Sequence, residues 1–81
     1  MKLSYDPRYN IAYIKLREDR EESAQVDTIQ ISDELNIDIS PDGKIYGIEL
    51  LNANEQLDIM KNKGLTLMDE STGKTVQLNI P

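Results

Sequence analysis

The stretch from Leu35 to Leu51 constrains the fold more than any other part of the chain. Leu35-Asn36-Ile37-Asp38-Ile39 alternates apolar and polar residues without a break. A strand turns successive side chains to opposite faces. Leu35, Ile37 and Ile39 therefore share one face, and Glu34, Asn36, Asp38 and Ser40 share the other. Ser40-Pro41-Asp42-Gly43 then supplies a hairpin turn. Pro41 arrives with φ preset, Asp42 bonds the local backbone, and Gly43 is free to take positive φ. Lys44 to Leu51 returns with apolar residues on both faces, Ile45 and Leu51 on one and Tyr46, Ile48 and Leu50 on the other. A strand apolar on both sides belongs in the middle of a sheet or at an interface. Which face meets Ile37 depends on whether Gly43 forms a bulge, and both registers stay open at this level.

The same alternation recurs on either side. Lys2 to Asp6 reads as a half-buried strand, and Asp6-Pro7-Arg8-Tyr9-Asn10 as a turn. Ile11 to Leu16 is the returning strand, with Ala12, Ile14 and Leu16 on one face and Ile11 and Tyr13 on the other. Arg17 to Ser23 is a charged connector without an apolar stripe, read as an exposed loop or a short helical turn. Gln25 to Ser32 reads as a third strand, carried by Ile29 and Ile31. Asn52-Ala53-Asn54-Glu55 has the spacing of a capping box, and Ala53, Leu57 and Met60 form a helical stripe. With Lys61 and Lys63 at its end and Gly64 as its stop, this predicts one helix over 53–62. Leu65 to Met68 and Thr75 to Ile80 read as a C-terminal hairpin over 65–80, turned by Asp69 to Lys74. Val76, Leu78 and Ile80 share a face of its second strand. The expected class is α+β: mainly an antiparallel β-sheet of five to seven short strands with one short helix, in a single domain spanning 1–81.

Size and composition then limit the chemistry. With 81 residues, no Cys and no His, the chain has no disulfide framework, no Cys/His zinc site and no Ser-His-Asp or Cys-His machinery. No apolar run approaches the ~20 residues that span a bilayer, and the opening Met-Lys-Leu-Ser-Tyr-Asp is not a signal peptide. A soluble cytoplasmic protein is expected, with no cofactor. A chain this short buries only about 60% of its unfolded surface. Dense Ile/Leu packing or self-association must make up the difference, and a homodimer is the expectation. The net charge of −6 is uneven: +2 over residues 1–20, −9 over 21–60 and +1 over 61–81. An acidic middle disfavours nucleic acid, which needs a basic stripe, and would steer a basic protein partner.

The opening Lys2-Leu3-Ser4-Tyr5-Asp6, the strand Ala12-Tyr13-Ile14-Lys15-Leu16, and the run from Leu35 through Asp42-Gly43 and Gly47-Ile48-Glu49 to Asn52-Ala53 together resemble a family of short prokaryotic proteins, the domain of unknown function 2283 family. The resemblance covers residues 1–57. It implies a soluble, mostly β domain and no established activity. Arg8, Tyr9 and Asn10 stand where the family pattern has Glu, Ala and Asp.

Few residues are candidates for chemistry. Asp38 and Asp42 head a candidate hard-cation site, joined by Glu49, Asp6 and Asn36, since Mg²⁺ or Ca²⁺ needs several converging oxygens. Against this, Asp42 suits a turn and Asp38 a solvated face. Glu49 interrupts an apolar strand, so it must be exposed at an edge, raised in pKa, or paired with Lys2, Lys15 or Arg17. Tyr5, Tyr13 and Tyr46, with Glu49, form a candidate interaction surface, because Tyr gives contact area at low entropy cost. Gly43 and Gly47 read as turn and close-packing glycines. The leading expectation is a non-enzymatic interaction or dimerisation module, for instance one that masks a small basic toxin as an antitoxin does. The rival is a small metal-assisted or acid/base enzyme built on Asp38, Asp42 and Glu49.

Overall fold

A computed structural model of the protein describes residues 1–18 and 25–79. Its elements are β1 (Lys2–Asp6), β2 (Ile11–Lys15), β3 (Asp27–Ser32), β4 (Leu35–Ile39), β5 (Ile45–Leu51), α1 (Ala53–Gln56), β6 (Gly64–Met68) and β7 (Thr75–Asn79). The first five strands form one antiparallel sheet in the order β1-β2-β5-β4-β3, and β6 and β7 form a separate two-stranded hairpin. The class is α+β, mostly strand, as the alternation implies. The expected connector falls largely on residues 19–24 and Ile80 on residue 80, both outside the described residues.

The strand that is apolar on both faces is central: β5 lies between β2 and β4. Ile37 faces Ile48, which resolves the open register. The irregularity falls between Asp38 and Ile39, where Ile39 pairs with Ile45 and Tyr46 is left as the extra residue. Gly43 serves the turn itself, at φ 85, where its amide donates to the Ser40 carbonyl at 2.8 Å. The interrupted alternation also moves Tyr46, whose ring lies beneath the Lys15 ammonium rather than simply following Ile48 and Leu50.

The helix is shorter than the sequence suggests. It covers Ala53–Gln56, not 53–62. Asp58 takes a left-handed conformation, φ 50, one residue past the cap Leu57. The Ile59 amide donates to the Asn54 carbonyl and the Asp58 amide to the Glu55 carbonyl, the paired bonds of a Schellman ending. Asp58 therefore stops the helix, and Gly64 opens β6 instead. The capping box is also absent. Asn52 is itself left-handed (φ 52) and its side chain caps nothing. Its amide donates instead to Glu34 and Glu55, at 2.8 and 2.9 Å. The cap comes from the first turn. Asn10, left-handed at φ 57, accepts the Asn54 amide on Oδ1 at 2.6 Å and the Ala53 amide on its carbonyl at 3.0 Å. The left-handed Asn52 joins β5 to α1, and the first amides of α1 meet the turn between β1 and β2 at Asn10.

The interior is thin. Ala12 and Ala53 are the fully buried apolar residues, and among the described residues no larger side chain is fully buried. The radius of gyration is 14.2 Å, against about 12 Å for a compact domain of this length.

Candidate functional site

Residues paired across a sheet share a face, so the register sorts the side chains into two surfaces. One is apolar. Leu3, Ile14, Ile48, Ile37 and Ile29 form one row across all five strands. Ala12, Leu50 and Leu35 form the next, with Tyr5 at its end. Alternation carries Leu16, Ile14 and Ala12 onto this face, as the sequence predicts. Helix α1 touches β2 and β5 and closes one end of the sheet. The Tyr5 hydroxyl donates to Asn54 there, tying β1 to the helix. The rows themselves stay partly open, with Leu3 39% and Ile29 49% exposed at the two edge strands.

The other surface is polar, and its side chains bond across strands. Tyr13 on β2 stands next to the Lys15–Gly47–Asp38–Thr28 row. Its hydroxyl crosses Gly47 and donates to Asp38 Oδ2 at 2.7 Å. The glycine makes this reach available: a Cβ at Gly47 would lie 2.0 Å from the Tyr13 hydroxyl oxygen. Thr28 Oγ1 donates to the other carboxylate oxygen of Asp38 at 2.6 Å. One carboxylate thus links β2, β4 and β3. Partial burial, and then the bond to Asp38, push the Tyr13 phenol well above its ordinary pKa. Tyr13 therefore acts as a persistent donor. Beside it, Asn36 Nδ2 donates to Glu49 Oε1 at 2.9 Å. Among the described residues no cation pairs with Glu49, and the Asn36 amide takes the place for which the sequence offers Lys2, Lys15 and Arg17 as one of the alternatives.

The candidate cation ligands are held by different partners. Asp38 faces Tyr13 and Thr28, and Glu49 faces Asn36. Asp42 sits in the β4–β5 turn, where Arg17 Nη1 donates to it at 2.7 Å. That bond, first among several, holds the Asp42 carboxyl below its ordinary value. Among the described residues no three acidic, His or Cys side chains gather as a metal site. The candidate interaction residues also divide: Tyr13, Tyr46 and Glu49 cluster on the polar side, while Tyr5 sits at the helix end. Sequence reasoning passes over Thr28 and Asn10. Thr28 alternates with Ile29 in the polar register, which is a legible signal once β3 is assigned. The role of Asn10 depends on α1 arriving beside it, and no local pattern announces that.

An open cleft of about 480 Å³ lies beside the first hairpin, lined by Tyr5, Asp6, Arg8, Ile11 and Tyr13 among others. Its two charges engage each other. Arg8 donates to Asp6 from Nε at 3.1 Å and Nη2 at 3.0 Å, and from its backbone amide at 2.9 Å. The guanidinium bond, first, lowers the Asp6 carboxyl pKa. Among the described residues no helix is long and apolar enough to cross a membrane.

Against this geometry, a family model described as a protein of unknown function (DUF2283) matches residues 2–54, which span the five-stranded sheet and the start of α1. No curated protein and no solved structure matches the chain.

Proposed function

Since the chain belongs to the DUF2283 family, whose description assigns no activity, we propose that it works as a non-enzymatic interaction module and acts as a homodimer built on the apolar sheet face. The supporting observation is the row Leu3–Ile14–Ile48–Ile37–Ile29, which spans the whole sheet while no side chain larger than Ala is fully buried among the described residues. Covering such a row contributes roughly 25 cal/mol per Å² of apolar surface, and this chain has little other interior to rely on. Pairing through that face leaves the polar face outward, with Tyr13, Tyr46 and Glu49 available to a partner. The net −9 over residues 21–60 gives the dimer a sign that attracts a basic protein.

Sedimentation equilibrium at micromolar concentration checks the dimer. The expected mass is twice 9.2 kDa, with a melting point that rises with protein concentration. A single 9.2 kDa species across that range overturns it. The basic partner is read by capture at low and high salt: steering by the acidic segment requires capture to weaken as salt rises, and salt-independent capture removes that part of the reading.

A further inference from the structure

The C-terminal hairpin is a second uncovered apolar surface, and it lies off the sheet. Its register pairs Leu65 with Leu78 and Leu67 with Val76, so four aliphatic side chains form a square on one face. Thr66, Gln77 and Thr75 lie on the other, with the exposed Met68 at the turn end. The four are 48%, 53%, 60% and 58% exposed, respectively, although alternation this regular normally marks a face against a core. An isolated two-stranded hairpin is marginal in water. Strands β6 and β7 pack on each other and have no substantial packing partner among the other elements. Between α1 and β6 the chain turns at the left-handed Asp58, whose carbonyl accepts the Lys61 and Asn62 amides.

Surface area indicates how much must be covered. The chain exposes 6502 Å², whereas a compact monomer of this mass exposes ~4,900 Å². The excess, 6502 less ~4,900, is ~1,600 Å² per chain, about twice what one partner gives to an interface of standard size. Beside the open apolar rows of the sheet, the hairpin is the other exposed aliphatic face.

We propose that the hairpin is an exchanged arm: in the homodimer, the Leu65–Leu67–Val76–Leu78 face of one copy lies on the Ile14–Ile48–Ile37 face of the other, and the reverse contact occurs by symmetry. This inference rests on the dimer reading above and names its contact. A two-fold axis lets each copy give one arm and receive one, so both apolar faces are covered and the assembly closes. The strands of β6 and β7 have the same length as β1, β2 and β4, so the arm matches the sheet along the strand direction and covers about two strands of its width.

The full-length chain tests this by two routes. Leu67→Glu is expected to weaken the dimer by about 30-fold or more, while Gln77→Glu on the polar side of the hairpin leaves it within about threefold. A dimer in the unaltered chain that is indifferent to Leu67→Glu overturns the exchanged arm and leaves the dimer reading standing. A monomeric unaltered chain overturns both. Should Leu67→Glu fail to fold, cysteine pairing decides instead, since the chain has no Cys of its own. Leu67→Cys and Ile37→Cys chains of different tag mass, refolded together and oxidised, are expected to give a mixed disulfide between copies. A bond that forms only within one chain carrying both substitutions places the arm on its own sheet and overturns the exchange.

Discussion

The five-stranded sheet and the C-terminal hairpin use short strands of similar length, five to seven residues, and the same alternation, yet they are held in different ways. Across the sheet, Tyr13, Asp38 and Thr28 link three strands through one carboxylate, and Asn10 joins the first turn to α1. In the hairpin, the described side-chain bonds are local to its turn: Asp69 Oδ1 accepts the Ser71 amide and hydroxyl, at 2.9 and 2.6 Å. The Gly73 amide closes that turn on the Asp69 carbonyl at 2.7 Å. The sheet's register is thus supported by side-chain bonds distant in sequence, whereas the hairpin has its own ladder, its aliphatic pairs and its turn. With no side-chain bond tying it to the sheet among the described residues, the hairpin keeps its aliphatic face exposed to an outside surface.

The largest expected effect lies at the crossing of Tyr13 over Gly47. Gly47→Ala places a methyl where the phenol ring passes, so the ring must swing away and release Asp38. We expect a loss of about 2–3 kcal/mol in urea unfolding. In a Tyr13→Ala background the same substitution is expected to cost little, because the obstruction is gone. Additive losses would mean that Gly47 matters for a reason other than Tyr13, and the contrast with the hairpin would lose its main support.

Tyr13→Phe is gentler. It removes the donor and keeps the ring, for an expected cost of about 1–2 kcal/mol at neutral pH. It also has a pH signature. The folded phenol is raised above its ordinary 10.0, so its contribution is intact below that value and fades as pH climbs past it. Alkaline unfolding followed by circular dichroism should therefore be shallower in Tyr13→Phe than in the unaltered protein. Parallel alkaline limbs would show that Tyr13 does not carry this dependence.

The smallest effects sharpen the contrast through the two turn glycines. Gly43 at φ 85 and Gly73 at φ 75 both have open space where a Cβ would go, so only backbone strain opposes an alanine. Each substitution is expected to cost about 1 kcal/mol. Hydrogen exchange should place the Gly43→Ala loss at the β4–β5 amides and the Gly73→Ala loss at the β6–β7 amides. Loss of protection in both regions from either variant would show that sheet and hairpin open as one unit.

Much of the architecture is legible in the order of residues along the chain. Leu35 to Leu51 announces its hairpin because alternation and turn chemistry are local properties, and the doubly apolar β5 announces its central place. The helix is misjudged by the same local rules. Asn52 and Glu55 have capping-box spacing, but the reversal out of β5 takes Asn52 left-handed, and Asp58 takes the left-handed stop expected of Gly64. Of the candidate site, Tyr13, Asp38, Glu49 and Asn36 are legible as residues to watch and Gly47 as a close-packing glycine, while the pairing among them is not. Thr28 and Asn36 find their partners, and Gly47 the ring it makes room for, only once β2, β3, β4 and β5 lie side by side.

Sequence alone determined the strand alternation, the turns and the absence of thiol and imidazole chemistry, because each depends on residues a few positions apart or on composition. Tertiary structure alone decided the strand order, the bulge opposite Asp38 and Ile39, the cap supplied by Asn10, and the two apolar faces left open. Those depend on which distant segments meet, and the entropy of bringing them together is repaid only by the sum of contacts across the assembled sheet.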